Sequence, residues 1–155
     1  MLIAGYAHRD ELGAVGRRTL AALVPSLAVE LTPGQLLVAQ SDDGHFRVAG
    51  TVDGVRTSFL LDTGASVVAL RYETAAAAGL APPADSFTVL IETANGPVLA
   101  APVRIGRLTV AGIELGPTRA LVSAPGRLHA DLLGMSVLSR LRSVEIHGSQ
   151  LIVRP

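Results

Sequence analysis

The chain has no cysteine, and aromatic residues make up only 3% of its 155 positions. Without cysteine there are no disulfides, no thiolate metal sites and no cysteine catalysis. Compartment stays open, because a disulfide-free fold works on either side of a membrane. With so few aromatics the core must be built from Val, Leu, Ile and Ala, within a composition that is 49% hydrophobic. Charge is scarce as well, at 17%, and thirteen basic residues balance thirteen acidic ones. No basic run reads as a phosphate-tracking patch, so nucleic acid is not an expected partner. No stretch reaches the roughly 18 apolar residues that a membrane-spanning helix needs. The opening "MLIAGYA" is too short for that and lacks a charged n-region and cleavage site. It is open to being the stub of a longer apolar segment.

What the chain does have is turns. Sixteen Gly and nine Pro are spread along it, which suits short strands better than long helices. The length fits one domain with one core. The exception to the β texture lies at the start. "HRDELGAVGRRTLAALV", His8 to Val24, gathers Leu12, Val15, Leu20, Leu23 and Val24 on one helical face, and Pro25 stops it. Residues 1–34 are therefore expected as an N-terminal amphipathic helix and linker, and 35–155 as the main domain. The helix packs on the domain, links to a membrane anchor, or covers a site until removed by autoprocessing.

After Pro33-Gly34, Asp43-Gly44, Asp53-Gly54 and Asn95-Gly96 each sit between apolar runs, a strong hairpin signal. "RYETAAAAGL" reads as a short helix ended by Gly79. "LTVAGIELG" and "TRALVS" continue a meander. "ADLLGMSVLSRL" then reads as an apolar strand into Gly134 and a short helix, and "SVEIHGSQLIVRP" as a closing hairpin. The domain is expected to be all-β with about three short helices.

One strand ends strangely. "FLLDTGAS", Phe59 to Ser66, runs three apolar residues straight into Asp62. A carboxylate withdrawn from water needs a partner or a purpose. Some 70 residues later "ADLLGMSVL" repeats the theme of an apolar pair before Gly and a helix. Together, in this order, the two stretches resemble the signature elements of the retropepsin branch of aspartic proteases, over about Phe46 to Val153. The helix after the aspartate and the GMSxL ending look most like the bacterial, often periplasmic, members.

The resemblance implies a retropepsin-like half-barrel and an aspartic endopeptidase with no metal and no cofactor. The chemistry agrees: one carboxylate takes a proton from water while a second, protonated one polarises the peptide carbonyl. Two such groups close together cannot both ionise and titrate as a unit. Only one Asp-Thr-Gly is present, so the second carboxylate must be Asp62 of another chain across a two-fold axis. The expected partners are a second copy and a polypeptide substrate cut at apolar sites.

By the same resemblance, Thr63 braces the two active-site loops, Gly64 brings a backbone N–H onto the carboxylate, and Ala65 keeps the cleft floor small. Leu132, Leu133 and Gly134 clamp the Asp62 loop from behind. Thr93, Ala94, Asn95 and Gly96 form a flap over the substrate. The location implied is periplasmic, with an N-terminal membrane tether.

There are departures from the viral pattern. The acid after Asp-Thr-Gly-Ala and the arginine after the downstream glycine are replaced by Ser66 and Met135, so their ion pair is missing. The viral terminal-strand dimer sheet does not carry over directly, and "SQLIVRP" is the best candidate for an interface strand. A Ser–His–Asp hydrolase drawing on Ser66, one of the four histidines and Asp131 has no supporting elbow motif. "SDDGH" reads as turn chemistry rather than a metal site of Asp42, Asp43 and His45, and His129 and Asp131 as the polar entry of a strand. The alternative function is a catalytically silent module of the same fold, used for dimerisation or peptide binding.

Overall fold

A computed structural model describes residues 29–32, 35–93 and 95–154. Among them are eleven strands, two short α-helices and one 3-10 turn, so the chain is all-β as its composition implied. The helix expected over residues 8–24 lies outside the described residues, as does Ala94. Two compact units are present, one holding the described residues up to Arg47 and from Leu141 onward, the other Val48–Arg140.

In the first unit, β1 (Val29–Thr32), β2 (Gln35–Ala39), β10 (Ser143–His147) and β11 (Gln150–Arg154) form an antiparallel sheet in the order β1-β2-β11-β10. Leu37 and Ala39 are buried with Ile152 packed against them. Gly148, at φ +59°, makes the turn between β10 and β11. This placement changes the expectation for "SQLIVRP": β11 is flanked by β10 on one side and β2 on the other. Its backbone donors and acceptors are already paired, so it offers no free edge.

In the second unit, β3 (Arg47–Val52) and β4 (Val55–Leu61) form the first hairpin, turning through Asp53 (φ +46°) and Gly54 (φ +89°). Consecutive positive φ angles make the type I′ turn that matches strand twist. β5 (Val68–Leu70) leads into α1 (Tyr72–Ala77). At its C-terminus the N–H of Leu80 donates to Ala75 O and that of Gly79 to Ala76 O, with Gly79 at φ +74°. That is the glycine-ended Schellman pattern. β6 (Val89–Thr93) turns into β7 (Gly96–Val110), which pairs with β8 (Ile113–Ser123). The expected meander of short strands is thus two long ones, continuous through irregular register between Ile105 and Thr109. β9 (Asp131–Leu133) precedes α2 (Met135–Leu138).

The order in this sheet is β3-β4-β9-β5-β8-β7-β6, and β3 also pairs with β7, which closes the sheet on itself. β9 is inserted between β4 and β5, strands only six residues apart in sequence. It runs parallel to β4 (Leu60↔Leu132, Leu61↔Leu133) and antiparallel to β5 (Ala69↔Leu132). Side chains alternate across a strand, so this register sorts residues into two faces. Phe59, Val68, Leu70, Ala120, Val122, Leu133 and Ala101 share the buried one. The opposite face carries the row Leu60–Leu132–Ala69–Leu121–Pro102 across five strands. Three of those five, Leu60, Leu132 and Leu121, are only half-buried, and Pro102 is exposed.

Candidate active site

Asp62 follows directly on β4, two residues beyond Leu60, so its side chain belongs to the open face. It is half-buried. Its own N–H donates to Leu133 O at 3.1 Å, and its carbonyl accepts from Ala65 N at 3.2 Å, closing a tight turn. The Gly64 N–H donates to Asp62 Oδ1 at 2.8 Å, which aims the carboxylate. A Cβ on Gly64 would sit 3.1 Å from that oxygen. Thr63 is exposed, and its hydroxyl has no partner among the described residues.

Behind the loop, the first N–H groups of α2 have no partners within so short a helix. Met135 N donates to Ala65 O at 2.8 Å and Ser136 N to Ser66 O at 2.9 Å. These two main-chain bonds join the very segments that the missing side-chain ion pair would have joined. Gly134 makes the approach feasible: a Cβ there would lie 2.3 Å from Val67 O and 2.6 Å from Ala65 O. Leu133 is buried on the core face, whereas Leu132, grouped with it from the sequence, lies on the open face beside Leu60. A three-residue strand gives too little alternation for sequence to tell the two leucines apart.

Thr93, Asn95 and Gly96 form the β6–β7 turn. Thr93 Oγ1 donates to Gly96 O at 2.7 Å and accepts from Asn95 N at 3.2 Å, with Gly96 at φ +99°. β8 first meets β7 at Ala100, so Gly96–Leu99 have β6 as their strand partner and the hairpin overhangs the sheet.

Asp131 was placed by sequence at the polar entry of a strand. It is the first residue of β9 and 1% exposed. Its Oδ1 accepts from Arg71 N at 2.7 Å, and its Oδ2 from Thr74 Oγ1 at 2.8 Å and from Thr57 Oγ1. Arg71 Nε lies 3.7 Å away. This carboxylate ties β4, β9 and the mouth of α1 together and is occupied in doing so. Among the described residues no histidine bonds to it, so His45, His129 and His147 form no Ser–His–Asp arrangement with it, and His8 lies outside those residues. At the "SDDGH" turn, Asp43 pairs with Arg47 at 2.6 Å and accepts from His45 N at 3.1 Å, and these hold its carboxyl below the usual range. Among the described residues no three His, Asp or Glu gather as a metal site would require.

Residues 48–140 match the family described as "gag-polyprotein putative aspartyl protease". The match coincides with the unit that carries Asp62. An uncharacterized protein in the cobV 5′ region of Sinorhizobium sp. is 39% identical over 99% of the chain and 67% of its own length. An uncharacterized protein of Rickettsia prowazekii (strain Madrid E) is 36% identical over 99% of the chain and 65% of its own length. The chain therefore spans about two thirds of both relatives. Among solved structures, a retropepsin-like aspartic protease from Rickettsia conorii superposes with TM-score 0.67 at 34% identity, covering 77% of this chain and 89% of that one. An inhibitor-bound EIAV protease shares the fold, with TM-score 0.51 at 19% identity over 66% of this chain and 93% of that one. A strand-end aspartate clamped by the β9–α2 crossing, in a unit that aligns at this level with those proteins, makes the chain a member of the retropepsin-like aspartic protease family.

Proposed function

We propose that the chain is an aspartic endopeptidase that acts as a two-fold homodimer. The observation that carries this reading is the Asp62 loop, with a carboxylate oriented by Gly64 N at 2.8 Å on an open face of the sheet. One Asp-Thr-Gly per chain supplies one carboxylate, and general acid–base attack of water on an amide needs two. The exposed, unpartnered Thr63 hydroxyl beside Asp62 is where a second copy would meet the first.

With both Asp62 carboxylates at the axis sharing one proton, the ionised one takes a proton from water. The protonated one donates to the peptide carbonyl oxygen as the C–O bond forms. The leaving nitrogen then takes the dyad's proton, the C–N bond breaks, and one hydroxyl of the collapsing diol returns its proton to the other carboxylate, which restores the shared-proton dyad. No covalent intermediate is required. The open row of Leu60, Leu132 and Leu121 supports a preference for apolar residues at the cut, since burying such side chains contributes roughly 1.5–3 kcal/mol each. The overhanging β6–β7 hairpin, with Asn95 and Gly96 at its turn, is suited to closing over an extended peptide. The reading includes a periplasmic location with an N-terminal tether, and recovery of the native protein in a cytosolic fraction would count against that part.

The test compares wild type with Asp62→Asn on an unfolded protein mixture between about pH 4 and 7, the span a shared-proton dyad suggests. Cut peptides from wild type alone establish aspartic endopeptidase chemistry. Equal cutting by both sinks the Asp62 mechanism. Silence in both favours the peptide-binding module.

A further inference from the structure

Arg104 on β7 and Arg119 on β8 are directly opposed in the antiparallel register. Residues so placed have Cβ atoms about 5 Å apart, and like charges there repel. Both are exposed, and neither guanidinium has a hydrogen-bond or ion-pair partner among the described residues. An acid at either position would have turned the repulsion into an attraction. Two unneutralised cations held side by side by a sheet register make a ready site for an anion.

Their surroundings say which anion. Extending the Val68↔Ala120 pairing back by one residue sets Val67 beside Arg119. Val67, Pro102 and Leu121 line, with the two arginines, a groove of about 550 Å³. Alternation puts all five on the face that carries Leu60, Leu132 and Asp62. Val67 is also only five residues beyond Asp62, on the same loop. The groove is therefore an extension of the open face: apolar along its floor, cationic at its end.

We propose that this groove is a subsite for an acidic side chain of the substrate, Asp or Glu, a few residues from the scissile bond. The inference rests on the endopeptidase reading and names its substrate class. The methylenes of the acidic residue lie on Val67 and Leu121 while the carboxylate accepts from both guanidinium groups. All thirteen basic residues of the chain are arginine, whose planar fork matches a carboxylate in a way lysine does not. One carboxylate between the two cations also relieves their mutual repulsion. A polypeptide with an apolar cut site and an acid at a fixed distance from it fits the whole face.

The test digests a proteome-derived peptide library with wild type and with the R104E/R119E double variant, mapping cut sites by mass spectrometry. A matched peptide pair, Glu or Gln at the enriched position, is then timed with each enzyme. Because the readout is the Glu/Gln ratio within one enzyme, partial unfolding of a variant cancels. Wild type is expected to enrich Asp or Glu at one fixed position. It should favour the Glu peptide by about three- to tenfold in kcat/KM at low salt, the scale of exposed charge pairs, and by less at 0.5 M salt. The double variant should invert the ratio, and R119Q should fall between. Equal cutting of the Glu and Gln peptides by wild type, or a Glu preference surviving in the double variant, overturns the inference while leaving the endopeptidase reading intact. Should wild type cut nothing, that reading fails, and the groove is judged by fluorescence anisotropy of a labelled apolar peptide with one Glu against its Gln twin. Tighter Glu binding that R104E/R119E abolishes still supports the site, and equal binding overturns it.

Discussion

The backbone N–H of Asp62 donates to the carbonyl of Leu133 at 3.1 Å, fastening the end of β4 to the end of β9. Residues 71 apart in sequence thus fix one carboxylate. The bond forms only because β9 slots between β4 and β5, and that slot is held by Gly134 on one side and Asp131 on the other.

Gly134→Ala tests the first support. Its Cβ would fall 2.3 Å from Val67 O, a backbone atom that cannot swing aside. Overpacking of this kind costs about 1–3 kcal/mol or more, and here it displaces the Asp62 loop itself. Thermal unfolding should show a lowered Tm, and cleavage activity should fall further than the stability loss explains. Wild-type behaviour in both would mean the crossing is looser than the distances indicate.

Asp131→Ala tests the second. It would strand the Thr57 and Thr74 hydroxyls and the Arg71 N–H in a buried site. Unpartnered buried donors cost about 1–3 kcal/mol each, so denaturant unfolding should shift by several kcal/mol. Thr74→Val removes one donor only and should cost about 1 kcal/mol. A loss of equal size in both variants would argue that the carboxylate is not the hub.

Thr63→Ala bears on dimerisation. If the exposed hydroxyl meets its counterpart in a second copy, its loss should weaken self-association about tenfold, the scale of one net hydrogen bond. Asp62→Asn, close in shape, should associate nearly as wild type does. Sedimentation equilibrium separates the cases, and a wild-type monomer at every concentration would end the homodimer proposal.

Acid should loosen the terminal hairpin. Bonds from His147, Arg154 and Ser143 hold the Glu145 carboxyl below its usual range. A depressed carboxylate stabilises the fold above its unfolded pKa, and that contribution disappears as pH falls through the lower folded value. Protection of the β10 and β11 amides, taken relative to the intrinsic exchange rate at each pH, should therefore fall below about pH 4, and Glu145→Gln should flatten that dependence. An unchanged profile in the variant would assign the effect to other groups.

The sequence by itself determined the local chemistry. Asp-Thr-Gly closing an apolar strand, the turns at Asp53-Gly54 and Asn95-Gly96, the Gly79 helix end and the strand–Gly134–helix run all depend on residues within a few positions of one another. Such features are written in backbone preference and periodicity. Only the tertiary structure decided the rest. It inserted β9 between β4 and β5, buried Asp131, turned Leu132 to the open face and Leu133 to the core, enclosed β11 between two strands, and set Arg104 opposite Arg119. Each of these depends on a register between segments far apart in the chain. A register is chosen by the sum of many contacts across the sheet, and shifting it by one residue would exchange the two faces.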